Sequence, residues 1–135
     1  MDRYLKAGAQ IINPKRAKEG SYAIKELIGT GSSCAVYYAE FINDSGVATE
    51  HLLKEYNPKS IKLERAENGS LVHSDSVDVA FKAGLRRFED GYNMQLEVRR
   101  SSEAKNSTSN IQDIFVANET CYIDMTVMAD RKSVV

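Results

Sequence analysis

Apolar positions along the chain keep two different rhythms, and the change between them marks out the elements. YAIKELI (22–28) and AVYYAEFI (35–42) are short runs rich in β-branched and aromatic residues, and both read as strands. NDSG (43–46) is a turn signal, so ATEHLLKEY (48–56) should return antiparallel to the second strand and end before Pro58. In IKLERAENGSLVHS (61–74) brief runs flank Asn68-Gly69, a pair suited to a type I′ turn, which predicts a small extra hairpin. Between 75 and 101 the rhythm becomes helical. Val77, Phe81, Leu85, Phe88, Tyr92 and Leu96 recur every three or four residues as one apolar stripe of a long helix, with Ser74 or Ser76 as its cap. Gly84 and Gly91 lie beside that stripe. Either they let the helix approach a sheet closely, or they are tolerated weak positions costing about 1 kcal/mol each. After a polar, turn-rich stretch the strand rhythm resumes in IQDIFVA (111–117) and CYIDMTVM (121–128), joined by Asn118-Glu119-Thr120. Residues 1–20 keep no period and read as an N-terminal arm. The pattern predicts an α+β fold: a five-stranded antiparallel sheet with one long helix, and a small β-hairpin inserted before the helix.

Composition narrows the function classes. With 135 residues the chain suits one domain with a real core. Its formal net charge of -1 lacks the basic excess of a nucleic-acid binder, so no nucleic-acid partner is expected. The local cluster Arg3, Lys6, Lys15, Arg16 and Lys18 reads as part of a solvated arm. Cys34 and Cys121 are too few for a disulfide framework and lack metal-site spacing. His51 and His73 are isolated and suit surface or strand-edge roles, so no metal site is expected. MDRYLKAGAQIINPK lacks the apolar core of a secretion signal, and no run approaches the roughly 18 apolar residues of a membrane span. A cytoplasmic protein is the expectation, and the sequons at Asn43, Asn68, Asn106 and Asn118 then reflect chance or turn chemistry.

The chemistry concentrates in Ile28-Gly29-Thr30-Gly31-Ser32-Ser33-Cys34-Ala35-Val36. A loop needs paired glycines when it turns tightly, when another backbone approaches, or when a ligand rests on its amides. Ile28 and Val36 would put an apolar side chain on each side of whatever the loop covers. Lys54 lies mid-strand among apolar neighbours in HLLKEY, where an ammonium must reach water or meet an anion. This set resembles the small lobe of a protein kinase. The family's G-x-G-x-x-G-x-V is matched from Gly29 to Val36, with Cys34 in place of the last glycine, and V-A-I-K loosely by His51-Leu52-Leu53-Lys54. The order of elements agrees over residues 21–130, and the hairpin before the helix fits bacterial kinases of the eukaryotic serine/threonine type. The resemblance implies ATP as ligand. Gly29 and Gly31 would lie over its phosphates, Ile28 and Val36 would sandwich the base, and Lys54 would orient the phosphates. Met125 would be the gatekeeper, with Thr126, Val127 and Met128 forming a hinge that pairs with adenine.

The sequence departs from the family at informative points. Leu52 stands where the family has a small alanine under the adenine ring, and its bulk narrows that space. The helix should carry a glutamate that pairs with the lysine. Aligning Phe88 with the family's phenylalanine puts Gly91 at that position, which leaves Gln95, one turn on, or Glu97, in a shifted register, as possible partners of Lys54. Neither His-Arg-Asp nor Asp-Phe-Gly occurs, the segments that supply the base and the Mg2+ ligands. The expectation is therefore a lobe inactive by itself, in which residues 131–135 begin the connection to a C-terminal lobe of the same polypeptide. That lobe would be its partner, Mg2+ would belong to the full-length parent, and the parent would phosphorylate protein hydroxyls. An uncovered cleft floor would promote self-association of the isolated lobe. Two alternatives stand beside it: a pseudokinase-type scaffold with weak or no nucleotide binding, and a complete module that binds partners through its sheet.

Overall fold

The computed structural model describes the backbone of residues 3–101 and 111–126, and the side chains of 3–94 and 111–125. Four strands come first: β1 (Gln10–Ile11), β2 (Gly20–Thr30), β3 (Cys34–Asn43) and β4 (Ala48–Tyr56). A short hairpin follows, β5 (Glu64–Arg65) and β6 (Leu71–Val72), then the helix α1 (Asp78–Ser101), then β7 (Ile111–Ala117) and β8 (Thr120–Thr126). The main sheet is antiparallel throughout, in the spatial order β1-β2-β3-β4-β8-β7. The α+β class, the inserted hairpin and the single long helix agree with the sequence pattern. The register shifts within β2, between Ile24 and Glu26 and again between Leu27 and Gly29, are bulges that curl the first hairpin.

The sheet has six strands rather than five, because the segment expected to be a solvated arm is built into the fold. Ile11 pairs with Tyr22, Leu5 and Ile11 join the buried cluster of Tyr22, Tyr37, Phe41 and Leu53, and the Leu5 amide donates to the Tyr37 hydroxyl at 3.0 Å. The physical reason is that a sheet has two faces. The helix covers one, and the apolar residues of the other would meet water without the first residues of the chain. Those residues needed no helical or strand period to do this, so periodicity could not reveal them.

On the front face α1 lays Phe81, Leu85, Phe88 and Tyr92 against Tyr56, Ile114, Cys121 and Ile123. A 3-10 turn, Asp75–Val77, leads into it, and the Ser74 side chain caps nothing: its hydroxyl bonds that of Ser76 instead. Gly84 is a point of close approach, because a Cβ there would run into the Tyr56 hydroxyl, which donates to the Phe81 carbonyl at 2.9 Å. Gly91 has nothing within 4 Å of the same position and is a tolerated weak point. The left-handed turn also lies elsewhere than Asn68-Gly69. Asn118 and Glu119 carry φ of 54° and 62° between β7 and β8, whereas in the 66–70 loop only Gly69 is positive, at 95°. No helix of the described residues is long and apolar enough to cross a membrane.

Candidate functional site

Alternation along β3 and β4 decides which side chains share a face. Val36 lies directly opposite Lys54, and Lys54 directly opposite Ile123, so the three stand in one row on the face that α1 covers. Tyr38, Leu52 and Met125 form the next row in the same way. The hairpin between β2 and β3 is tighter than a loop of nine residues: Gly29 and Thr30 still belong to β2, and the Gly31 amide closes the turn on the Cys34 carbonyl at 2.8 Å. Its tip is pinned. The carbonyls of Ser33 and Ser32 accept from the amides of Asn57 and Lys59 at 2.8 and 2.9 Å, continuing the β3–β4 ladder past its end. The amides of Ser32 and Ser33 meet no acceptor among the described residues.

Neither Gly29 nor Gly31 is demanded by the fold. Neither has a positive φ, a Cβ at Gly29 would meet nothing within 4 Å, and one at Gly31 would meet only Cys34 Sγ at 3.9 Å. Tight turning and close approach of another backbone, two of the three reasons for glycine here, are thereby removed. Ile28 is 51% exposed at the rim and Val36 is half-buried. A cavity of about 820 Å³ opens beneath the tip toward α1, lined among others by Ser32, Ser33, Tyr56, Lys59, Arg87 and Phe88; Lys54 is not among its lining residues.

Lys54 is half-buried, and its ammonium donates to the Tyr92 hydroxyl at 2.6 Å while lying 5.0 Å from the centre of the same ring. Among the described residues no carboxylate reaches salt-bridge distance of Lys54. Gly91 leaves no side chain to take the glutamate's role, and the side chains of Gln95 and Glu97 lie outside the described residues. Of the proposed hinge, Met125 is half-buried opposite Leu52, Thr126 is described by its backbone alone, opposite His51, and Val127 and Met128 lie outside the described residues. Cys121 is buried, and burial pushes its thiol up to about 12.

The other face of the same strands holds chemistry that the sequence reading missed. Glu55 is completely buried and accepts from Tyr37, Asn57 and Arg65 at 3.1, 3.0 and 2.8 Å on one oxygen and from Tyr122 at 2.5 Å on the other. Arg65 also donates to the carbonyls of Gly69 and Arg3, each at 2.8 Å. Burial works against its charge, but the bond to Glu55 and that group's negative charge win and raise its pKa. Burial first and the Glu55 charge second also raise the phenols of Tyr37 and Tyr122. A second buried carboxylate, Asp124, accepts from the Tyr22 hydroxyl at 2.5 Å and lies 2.6 Å from His51 Nδ1, while His51 Nε2 is 2.9 Å from the Thr49 hydroxyl. His51 is thus a member of a buried network rather than an isolated edge residue. A signal was present: Glu55 and Asp124 sit inside the apolar runs HLLKEY and CYIDMTV, where a carboxylate can persist only with donors around it.

No family model and no curated protein matches the chain. Among solved structures it is similar to one described as "PpkA-294 apo form", with a TM-score of 0.70 and 22% sequence identity over 93% of this chain. The chain spans 39% of the length of that protein. At that identity the likeness speaks for the fold, and the fold is kinase-like.

Proposed function

We propose that the chain is the nucleotide-binding small lobe of a serine/threonine protein kinase, with ATP phosphates held between the Gly29–Val36 hairpin and Lys54. The observation that carries this reading is the pair of glycines the fold does not use. They leave the backbone bare beside two amides that meet no acceptor among the described residues, and Gly29 shares its row, through Val36, with an ammonium that has no anionic partner among them. Such a surface suits an anion, since amides and an uncompensated cation both favour negative charge. Ile28, Val36, Met125 and the hinge backbone at Thr126 and Met128 would hold the base. The full-length parent would add a C-terminal lobe and Mg2+, and would pass the γ-phosphate to protein hydroxyls. The 135 residues, which contain neither His-Arg-Asp nor Asp-Phe-Gly, would not do so by themselves.

A pseudokinase-type scaffold is the second reading. Two observations favour it: the neutral partner of Lys54, and the bulky row Tyr38, Leu52 and Met125 across the adenine position. NMR titration of the protein with ATP separates the two. The expected result is weak, saturable shifts of the amides from Gly29 to Cys34 that vanish in Lys54→Met; no shift at any ATP concentration overturns the nucleotide reading. The parent polypeptide then decides activity, through the presence or decay of the His-Arg-Asp and Asp-Phe-Gly segments.

A further inference from the structure

We infer that Tyr92 is the positioning residue for Lys54, standing in for a carboxylate with a neutral hydroxyl; the inference rests on the nucleotide-binding reading of the same site. The Tyr92 ring is well placed to hold a fixed position. It packs on Phe88 with ring centres 5.2 Å apart and against the Ile111, Ile114 and Ile123 cluster, so helix and sheet both locate it. From there its hydroxyl accepts one N–H of Lys54 at 2.6 Å, and its ring lies under the same ammonium at 5.0 Å. An ammonium has three donors. One spent on Tyr92 directs the stem, and two meet no acceptor among the described residues and are left for an anion.

A hydroxyl differs from a carboxylate in one decisive respect. It orients the ammonium without neutralising it, so the whole positive charge stays available to phosphate oxygens. The arrangement therefore favours the phosphate chain itself. Leu52, Tyr38 and Met125 crowd the row where a base would lie, which points the same way. The ligand class is a polyphosphate held chiefly by charge, with a nucleoside contributing less than its size suggests.

Two measurements on the 135-residue protein test this, using ATP and inorganic tripolyphosphate as probes. In the first, Lys54 is acylated by an amine-reactive probe without any ligand, and the rate is read by mass spectrometry. Tyr92→Phe keeps the ring and its packing, so its melting temperature should stay near the wild type while Lys54 reacts several-fold faster. An unchanged rate overturns the inference whether or not ATP binds. In the second, Tyr92→Phe should weaken ATP and tripolyphosphate alike by about five-fold, the scale of one hydrogen bond. Tyr92→Gln, which restores an acceptor, should recover part of the loss. Unchanged affinity of Tyr92→Phe for both probes, beside a wild type that binds them, would overturn the inference alone. Faster acylation combined with a wild type that binds neither probe would overturn the nucleotide reading, and the positioning role with it.

Discussion

Lys54 and Glu55 are neighbours in one strand, and the protein treats their charges in opposite ways. Glu55, on the back face, is completely buried with four donors on its two oxygens, one of them Arg65. Lys54, on the front face, is half-buried, and among the described residues it meets a single neutral acceptor. The back face behaves as an interior in which a buried carboxylate is tolerated because several donors, one of them charged, surround it. The front face near the glycine hairpin leaves a cation without an anionic partner, and two amides without an acceptor, among the described residues. The difference separates a charge retained for the fold from a charge retained for something outside it.

Glu55→Ala should give the largest effect. It strands Arg65, whose side chain is 9% exposed, and three further buried donors, so a loss of about 3–5 kcal/mol is expected in urea unfolding. A loss below 1 kcal/mol would break the comparison, since the back face would then be no more demanding than the front. Gly84→Ala comes next. Helix propensity alone predicts a gain near 1 kcal/mol, but the new Cβ meets the Tyr56 hydroxyl, so a net loss of about 1–3 kcal/mol is expected. Gly91→Ala, with open space around it, should show the propensity gain instead.

Acid should act on the back-face rim before it reaches the interior. Burial alone would raise the Asp113 carboxyl, but bonds from Lys15, Asn13 and its neighbour's amide outweigh it and hold the pKa below the usual carboxylate value. Its folded pKa is lowered, so its contribution is complete above the unfolded value of about 4 and fades as pH falls through the folded one. Asp113→Asn should therefore lower the melting temperature slightly at pH 7, and the difference from the wild type should shrink as pH falls below about 4. The pair is partly exposed, which keeps the effect small. Smallest of all are the front-face changes. Lys54→Met, Gly29→Ala and Gly31→Ala should each leave stability within about 0.5 kcal/mol while abolishing or weakening the ATP-dependent amide shifts. A large destabilisation at Gly29 would sharpen the opposite conclusion, that the glycines serve the fold.

Much of the architecture was legible in advance because its signals are local. Alternation in AVYYAEFI and ATEHLLKEY, the turn at NDSG and the stripe from Val77 to Tyr92 each report the face of one element, and each element formed where those signals stood. Val36 and Lys54 could be placed together for the same reason: a short turn sets the register, and register sets the face. The helix cap and the left-handed turn were less legible. Ser74 bonded Ser76, and positive φ went to Asn118 and Glu119 where the chain passes between two long strands.

The chain's own order of residues determined the strand and helix rhythm, the glycine hairpin and the face on which Lys54 stands, since all of these follow from spacing within about one hairpin. Tertiary structure alone decided three things: that the first residues cover the back of the sheet, that Glu55 and Asp124 are buried among hydrogen-bond donors, and that Tyr92 meets Lys54. Each joins residues from separate elements. Such contacts depend on how a curled sheet and a helix are packed in space, a relation that no periodicity along a single segment encodes.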